Sequence, residues 1–151
     1  MTTLAVPVSP PRTSVYRAAR IAISLSPLIL VHLALGAIPF VEFTIVSVLL
    51  LVAVTRVAGI GVTVGLHRYF SHRSFKTPRW VQFVLAVMGC TALQKGPLWW
   101  VVHHRLHHKH SDTAADPHSP VADGFWYGHV GWLFANDLMT PDHGTVRDLT
   151  K

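Results

Sequence analysis

Acidic side chains are scarce in this sequence: Asp and Glu number seven among 151 residues, against thirteen Lys and Arg. Charge of either sign occupies only 13% of positions while half are hydrophobic, too sparse a charge for an ordinary soluble domain and fitting for a chain that meets lipid. The surplus positive charge gathers at the edges of apolar stretches, where anionic headgroups or a cytoplasmic face would hold it. That distribution is not a nucleic-acid footprint, and no nucleic-acid partner is expected. Cysteine is nearly absent as well. Cys90 alone can form neither an internal disulfide nor a thiolate-rich metal site, and it suits a reducing, cytoplasm-facing compartment. Signal-peptide layout, internal repeats and low-complexity tracts are all missing. Histidine breaks the pattern: there are eleven, most of them between His67 and His129, and the acidic residues are too few to explain them as ion-pair partners.

Residues 1–18 hold three prolines and no apolar period, so a flexible N-terminal tail is expected there. The rest, 19–151, reads as a single membrane-associated portion. An apolar stretch of about twenty residues, 19–40, is long enough to cross about 30 Å of hydrocarbon at 1.5 Å per residue. Pro39 and Glu42 mark a short connection, after which 43–66 forms a second span and returns the chain to its starting side. Arg12, Arg17 and Arg20 precede this hairpin, and Arg68, Arg73, Lys76 and Arg79 follow it, while the turn has no basic residue. The N-terminus and everything after the hairpin are therefore expected on the cytoplasmic face. The next apolar run, 80–93, is too short to span and should lie in the interface or dip in and out. Beyond it LWWVVHHRLHHKHSD reads as a helix, SDTAADPHSP as a polar, turn-rich stretch and GFWYGHVGWLF as an aromatic surface element. The expected fold class is an all-α membrane protein: a transmembrane helical hairpin followed by interfacial and cytoplasmic helices that carry the histidines.

Two histidine clusters stand out. In HRYFSH, His67 and His72 are five apart, which on a continuous α-helix points them about 140° away from each other. They converge only where the helix ends between them, and Gly61, Gly65 and the loss of pattern toward Pro78 supply that ending. In HRLHH, by contrast, His104, His107 and His108 occupy positions i, i+3 and i+4 and share one helix face. Three neighbouring imidazoles repel when protonated and need many partners when buried and neutral, and a metal ion resolves both problems. His103 and His110 lie off that face. A lone pair such as His67 and His72 is more often unremarkable, but two clusters on one side of a membrane reinforce each other. His32 reads as hydrogen-bonded to a neighbouring helix, and Arg56 as reaching a polar cavity or partner. Trp99, Trp100, Trp126, Tyr127 and Trp132 read first as interfacial aromatics. His118, His129 and His143 read as turn or supporting residues. Asp112 and Asp116 could orient ligand imidazoles or form turns and caps.

Residues 59–134 resemble the membrane fatty acyl desaturases of the stearoyl-CoA desaturase type. GIGVTVGLHRYFSHRSFKT is similar to that family's first histidine box, and WWVVHHRLHHKHSDTAADPHSP followed by GFWYGHVGWLF to its second. The family's metal ligands in these boxes fall on His67, His72, His104, His107 and His108. Its tryptophan near the bound acyl chain falls on Trp100. The resemblance implies two non-haem irons held chiefly by histidine, dioxygen as co-substrate, and removal of two hydrogens from adjacent methylenes of a saturated acyl chain, commonly between carbons nine and ten. Unactivated C–H bonds are beyond side-chain acid–base chemistry, so a metal is chemically apt. An electron donor of cytochrome b5 or ferredoxin type is implied too. Val102 and His103 stand where animal members carry an Arg-Asp pair for the CoA headgroup, a pattern more like the bacterial branch, and this leaves CoA, a carrier protein and a lipid open as acyl carriers. The family also has a third box, His-Asn-x-His-His, and two further spans, none of which occurs before Lys151. The chain thus reads as the N-terminal part of such an enzyme, with no working diiron pair expected of it in isolation. Two other readings use the same residues: a related membrane hydroxylase, and a non-enzymatic membrane metal- or haem-binding protein.

Overall fold

The computed structural model describes residues 14–135 and 143–150, and every regular element among them is helical. Residues 1–13 of the expected tail lie outside the described residues, and Ser14 already opens the first helix, α1 (Ser14–Leu35), which carries Pro27 in its interior. His32 donates from Nδ1 to the Leu28 carbonyl at 2.8 Å, so its own helix satisfies it in place of the neighbour expected from the sequence. A 3-10 turn (Ile38–Phe40) leads to α2 (Ile45–Ile60). The start of α2 is fixed by a reciprocal cap: the Ser47 N–H donates to Thr44 Oγ1 at 3.1 Å, and the Thr44 N–H donates to Ser47 Oγ at 3.0 Å.

The helix does not stop at Ile60. It continues without a break as a π-helix (Gly61–Ser71), so that Ile45–Ser71 forms one rod of 27 residues. Among the described residues it is the one helix long and apolar enough to cross a membrane, and the apolar part of α1, Ile21–Leu35, is shorter. Leu49, Leu50 and Leu51 lie 60–66% exposed on its outer surface.

The π-helical stretch corrects the expectation that the helix ends between the two histidines of the first cluster. The His72 N–H donates to the His67 carbonyl at 3.1 Å, and Ser71 Oγ donates to the Leu66 carbonyl at 2.8 Å, both five residues back. A helix closed by i→i+5 bonds stacks residues five apart, much as an α-helix stacks residues four apart. The glycines have a different purpose from the one expected. A Cβ at Gly61 would collide with the backbone of Met88, and one at Gly65 would sit 2.8 Å from the Leu85 carbonyl oxygen. Both let α3 (Arg79–Cys90) approach closely, and the pairing of 61 with 88 and 65 with 85 makes the two helices antiparallel. Helix α3 therefore leads away from the histidine end along the long rod. Helix α4 (Pro97–His110), with proline in its first turn, leads back.

The polar stretch after α4 passes into two short helices, α5 (Pro120–Asp123) and α6 (Phe125–His129), and 3-10 turns at Gly131–Phe134 and His143–Val146. Val101 and Val102 of α4 and Val146 of the last turn are buried together, with Phe70, Leu98, Leu106 and Leu149 packed around them. Burying each such side chain stabilises by roughly 1.5–3 kcal/mol, which holds the end of the π-helix, α4 and the last turn as one unit. The histidines sit at the edge of that unit.

Candidate metal centre

Four of the five histidines singled out by the sequence meet at one point. A ligand nitrogen of each of His67, His72, His104 and His108 lies within 4.8 Å of the others. The π-helix brings the rings of His67 and His72 to 4.6 Å between centroids, and α4 brings those of His104 and His108 to 4.5 Å. The two pairs then interlock, with His67 4.7 Å from His104 and His72 4.9 Å from His108. Most of these rings meet edge-to-face.

Nε2 of His104 lies 3.1 Å from Nε2 of His72 and 3.1 Å from Nε2 of His108. A ring nitrogen carries either one hydrogen or one lone pair, so His104 Nε2 can satisfy only one of those neighbours by hydrogen bonding. Two nitrogens bound to one ion at about 2.1 Å and at right angles lie about 3.0 Å apart, so the donor set fits a metal ion. The electrostatics agree. Burial, followed by the neighbouring His108, His67, His72 and His107, pushes the His104 imidazole down to about 3, so it stays neutral and keeps a lone pair to donate. His72 is lowered by burial and by His67, His108 and Arg105.

His107 belongs elsewhere, although the sequence places it on the same face as His104 and His108. Its Nδ1 donates to the Asp116 carboxylate at 2.9 and 3.1 Å. The turn after α4 is folded around that buried carboxylate, which also accepts the backbone N–H groups of Asp112 at 3.1 Å and His118 at 3.2 Å. Burial alone would raise the Asp116 carboxyl, but these hydrogen bonds outweigh it and hold the group below the usual carboxylate range. Asp112 is set one step further out, accepting from Ser119 Oγ at 3.2 Å.

The ring of His118 stacks on His107 with centroids 4.6 Å apart and planes 19° apart, and its other neighbour is Trp132 at 4.9 Å. His107, Asp116 and His118 offer ligand atoms within 4.8 Å of one another. Face-to-face rings send their in-plane lone pairs along parallel lines, however, so this trio is better suited to orienting His107 than to holding an ion between the rings. With Nδ1 engaged by Asp116, Nε2 is the ring nitrogen His107 has left to offer.

Trp100 lies beside the four-histidine group. Its indole stacks on His104 at 4.5 Å and meets His67 edge-on at 6.5 Å, and its Nε1–H donates to Gln94 Oε1 at 2.9 Å. His103, buried off the shared face, donates from Nδ1 to the Trp99 carbonyl at 2.7 Å and stacks on that indole. His129 stacks on Phe125, and His143 opens the last 3-10 turn.

The profile of the fatty acid desaturase family matches residues 42–149. An sn-1 stearoyl-lipid 9-desaturase of Anabaena variabilis is 47% identical over 93 residues, which is 62% of this chain and 33% of that relative. Delta-9 acyl-lipid desaturase 1 of Arabidopsis thaliana is 42% identical over 124 residues, 80% of this chain and 40% of that relative. Acyl-CoA 5-desaturase AL21 of Anemone leveillei is 46% identical over 84 residues, 56% of this chain and 26% of that relative. The chain thus spans between a quarter and two fifths of the length of these curated relatives. No solved structure matches it. Because the matched segment runs from the start of the long helix to the last turn and contains both histidine clusters, the chain belongs to the fatty acid desaturase family.

Proposed function

We propose that residues 19–151 are the front part of a membrane fatty acyl desaturase and that they begin to build its diiron centre. His67, His72, His104 and His108 would hold one iron, and His107, oriented by Asp116, would offer Nε2 to the second. One observation carries the reading: His104 Nε2 lies 3.1 Å from both His72 Nε2 and His108 Nε2 at the end of an apolar rod long enough to cross a membrane. Irons held there would supply the oxidising power by which dioxygen, with two electrons from the donor and two protons, is reduced to two waters while two hydrogens leave adjacent methylenes as a cis double bond.

The chain's own residues bind and orient. Neutral His104 presents its lone pair without first losing a proton. Trp100, held by Gln94, offers a flat apolar surface to an acyl chain beside the ligands. The names of the relatives from Anabaena and Arabidopsis favour a lipid-linked saturated chain and the delta-9 position, with CoA and carrier-protein thioesters as the other carriers. Electrons would come from a ferredoxin- or cytochrome b5-type donor. Helix α1 and the long rod would form the transmembrane hairpin, with the N-terminus and both boxes in the cytoplasm and residues 1–18 as a tail.

Product analysis tests this reading. The polypeptide from the complete reading frame, loaded with iron and given an electron donor, should convert a saturated acyl lipid into a cis alkene. An alcohol product would reassign the chain to the hydroxylases. A Soret band, or purification without bound iron, would sink the diiron reading.

A further inference from the structure

We infer that Arg105, inside the second histidine cluster, is a positioning residue that latches the four-histidine group shut, with Asp148 as its catch. The inference rests on the metal-holding reading above and adds a residue to it. Arg105 follows His104 directly in α4, yet its guanidinium reaches two other parts of the chain. Nε donates to the Ser71 carbonyl at 3.1 Å and Nη2 to the Phe70 carbonyl at 3.3 Å. Nη1 donates to the Thr145 carbonyl at 3.1 Å, and Nη1 and Nη2 together grip the two oxygens of Asp148 at 2.9 Å each. A guanidinium has five N–H donors, and these five bonds use all of them.

The placement of the acceptors gives the cluster its meaning. Phe70 and Ser71 end the π-helix, where carbonyls run out of partners within the helix, and the next residue is the ligand His72. Arg105 therefore ties the backbone just before His72 to the helix that carries His104 and His108. The 3.1 Å approach of the His72 and His104 nitrogens depends on that register. The catch is firm because Val146, between Thr145 and Asp148, is fully buried against Val101 and Val102. Asp148 holds Arg105 by a planar fork that a lysine cannot reproduce. Arg73, next to His72, adds a longer ionic contact to Asp148 at 3.9 Å. The Arg105 guanidinium holds the Asp148 carboxyl below the usual range, as a charge-assisted pair should.

Cobalt(II) titration of the 151-residue chain in detergent tests the latch, with the visible absorption of bound cobalt as the readout. R105K should keep its helical circular dichroism and its cobalt stoichiometry, bind cobalt about tenfold or more weakly, and show an altered band pattern as His72 drifts from the ion. D148N should weaken binding in the same direction. R105K/D148N should lie within about twofold of R105K, because both act through one contact. R105K within twofold of the wild type would overturn the latch while leaving the four-histidine reading intact. Failure of the wild type to bind cobalt would overturn both. Should R105K not fold, D148N decides: binding within twofold of wild type rejects the latch.

Discussion

At the residue scale the site depends most on His104, whose Nε2 is the common neighbour of two other nitrogens and whose ring is covered by Trp100. His107 is separated from it by the pull of Asp116. H104A should therefore weaken cobalt binding by roughly 100-fold or more, beyond the loss typical of a supporting residue, whereas H107A should leave the four-histidine group within about threefold. Acid should act through the same imidazole. An unfolded histidine takes up a proton near pH 6.5, but folded His104 does so only at about 3, so between those values the unfolded chain binds more protons. Stability of the metal-free protein should fall as pH drops from about 6.5 toward 3. It should fall further below about 3.9, where Asp116 and Asp148 lose contributions that are present only when they are ionised. Thermal unfolding across that range checks both stages. The i, i+3 and i+4 spacing of His104, His107 and His108 reads directly from the sequence, whereas His67 and His72, five apart, stood out only beside that second cluster and through the family resemblance. The departure of His107 was not legible, because its cause lies in the fold of the turn around Asp116. Arg105 was hidden further, its partners Phe70 and Asp148 lying 35 and 43 positions away.

At the scale of elements, the decisive feature is the π-helix. Residues five apart have no shared face on an α-helix, so the sequence demanded a break; the structure widens the helix instead. A change from i→i+4 to i→i+5 bonding leaves no periodic mark in so short a stretch. Gly61 and Gly65 misled for a related reason, since glycine both ends helices and admits close neighbours. Gly59 gives a clean comparison, because a methyl added there would meet nothing within 4 Å. G61A should destabilise the packing of α3 on the rod by about 1–3 kcal/mol, while G59A should be neutral or stabilising by up to about 1 kcal/mol. Chemical denaturation in detergent would read the difference, and equal effects would refute the close-contact account.

At the scale of the whole molecule, apolar runs made the helical class and the long apolar helix legible, while the shorter extent of α1's apolar part was not. If both spans cross, protease-sensitive tags at the N- and C-termini should be cut from the same, cytoplasmic side of sealed membrane vesicles, and cleavage from opposite sides would reject the hairpin. The latch also has a consequence for synthesis. Both histidine boxes leave the ribosome before Asp148 does, by a few seconds at about 5–20 residues per second. On the latch reading, the four-histidine group closes only after all four of its histidines have been made. Nascent chains stalled before Asp148 emerges should hold cobalt more weakly than those stalled beyond it, and equal binding would reject this order of closure.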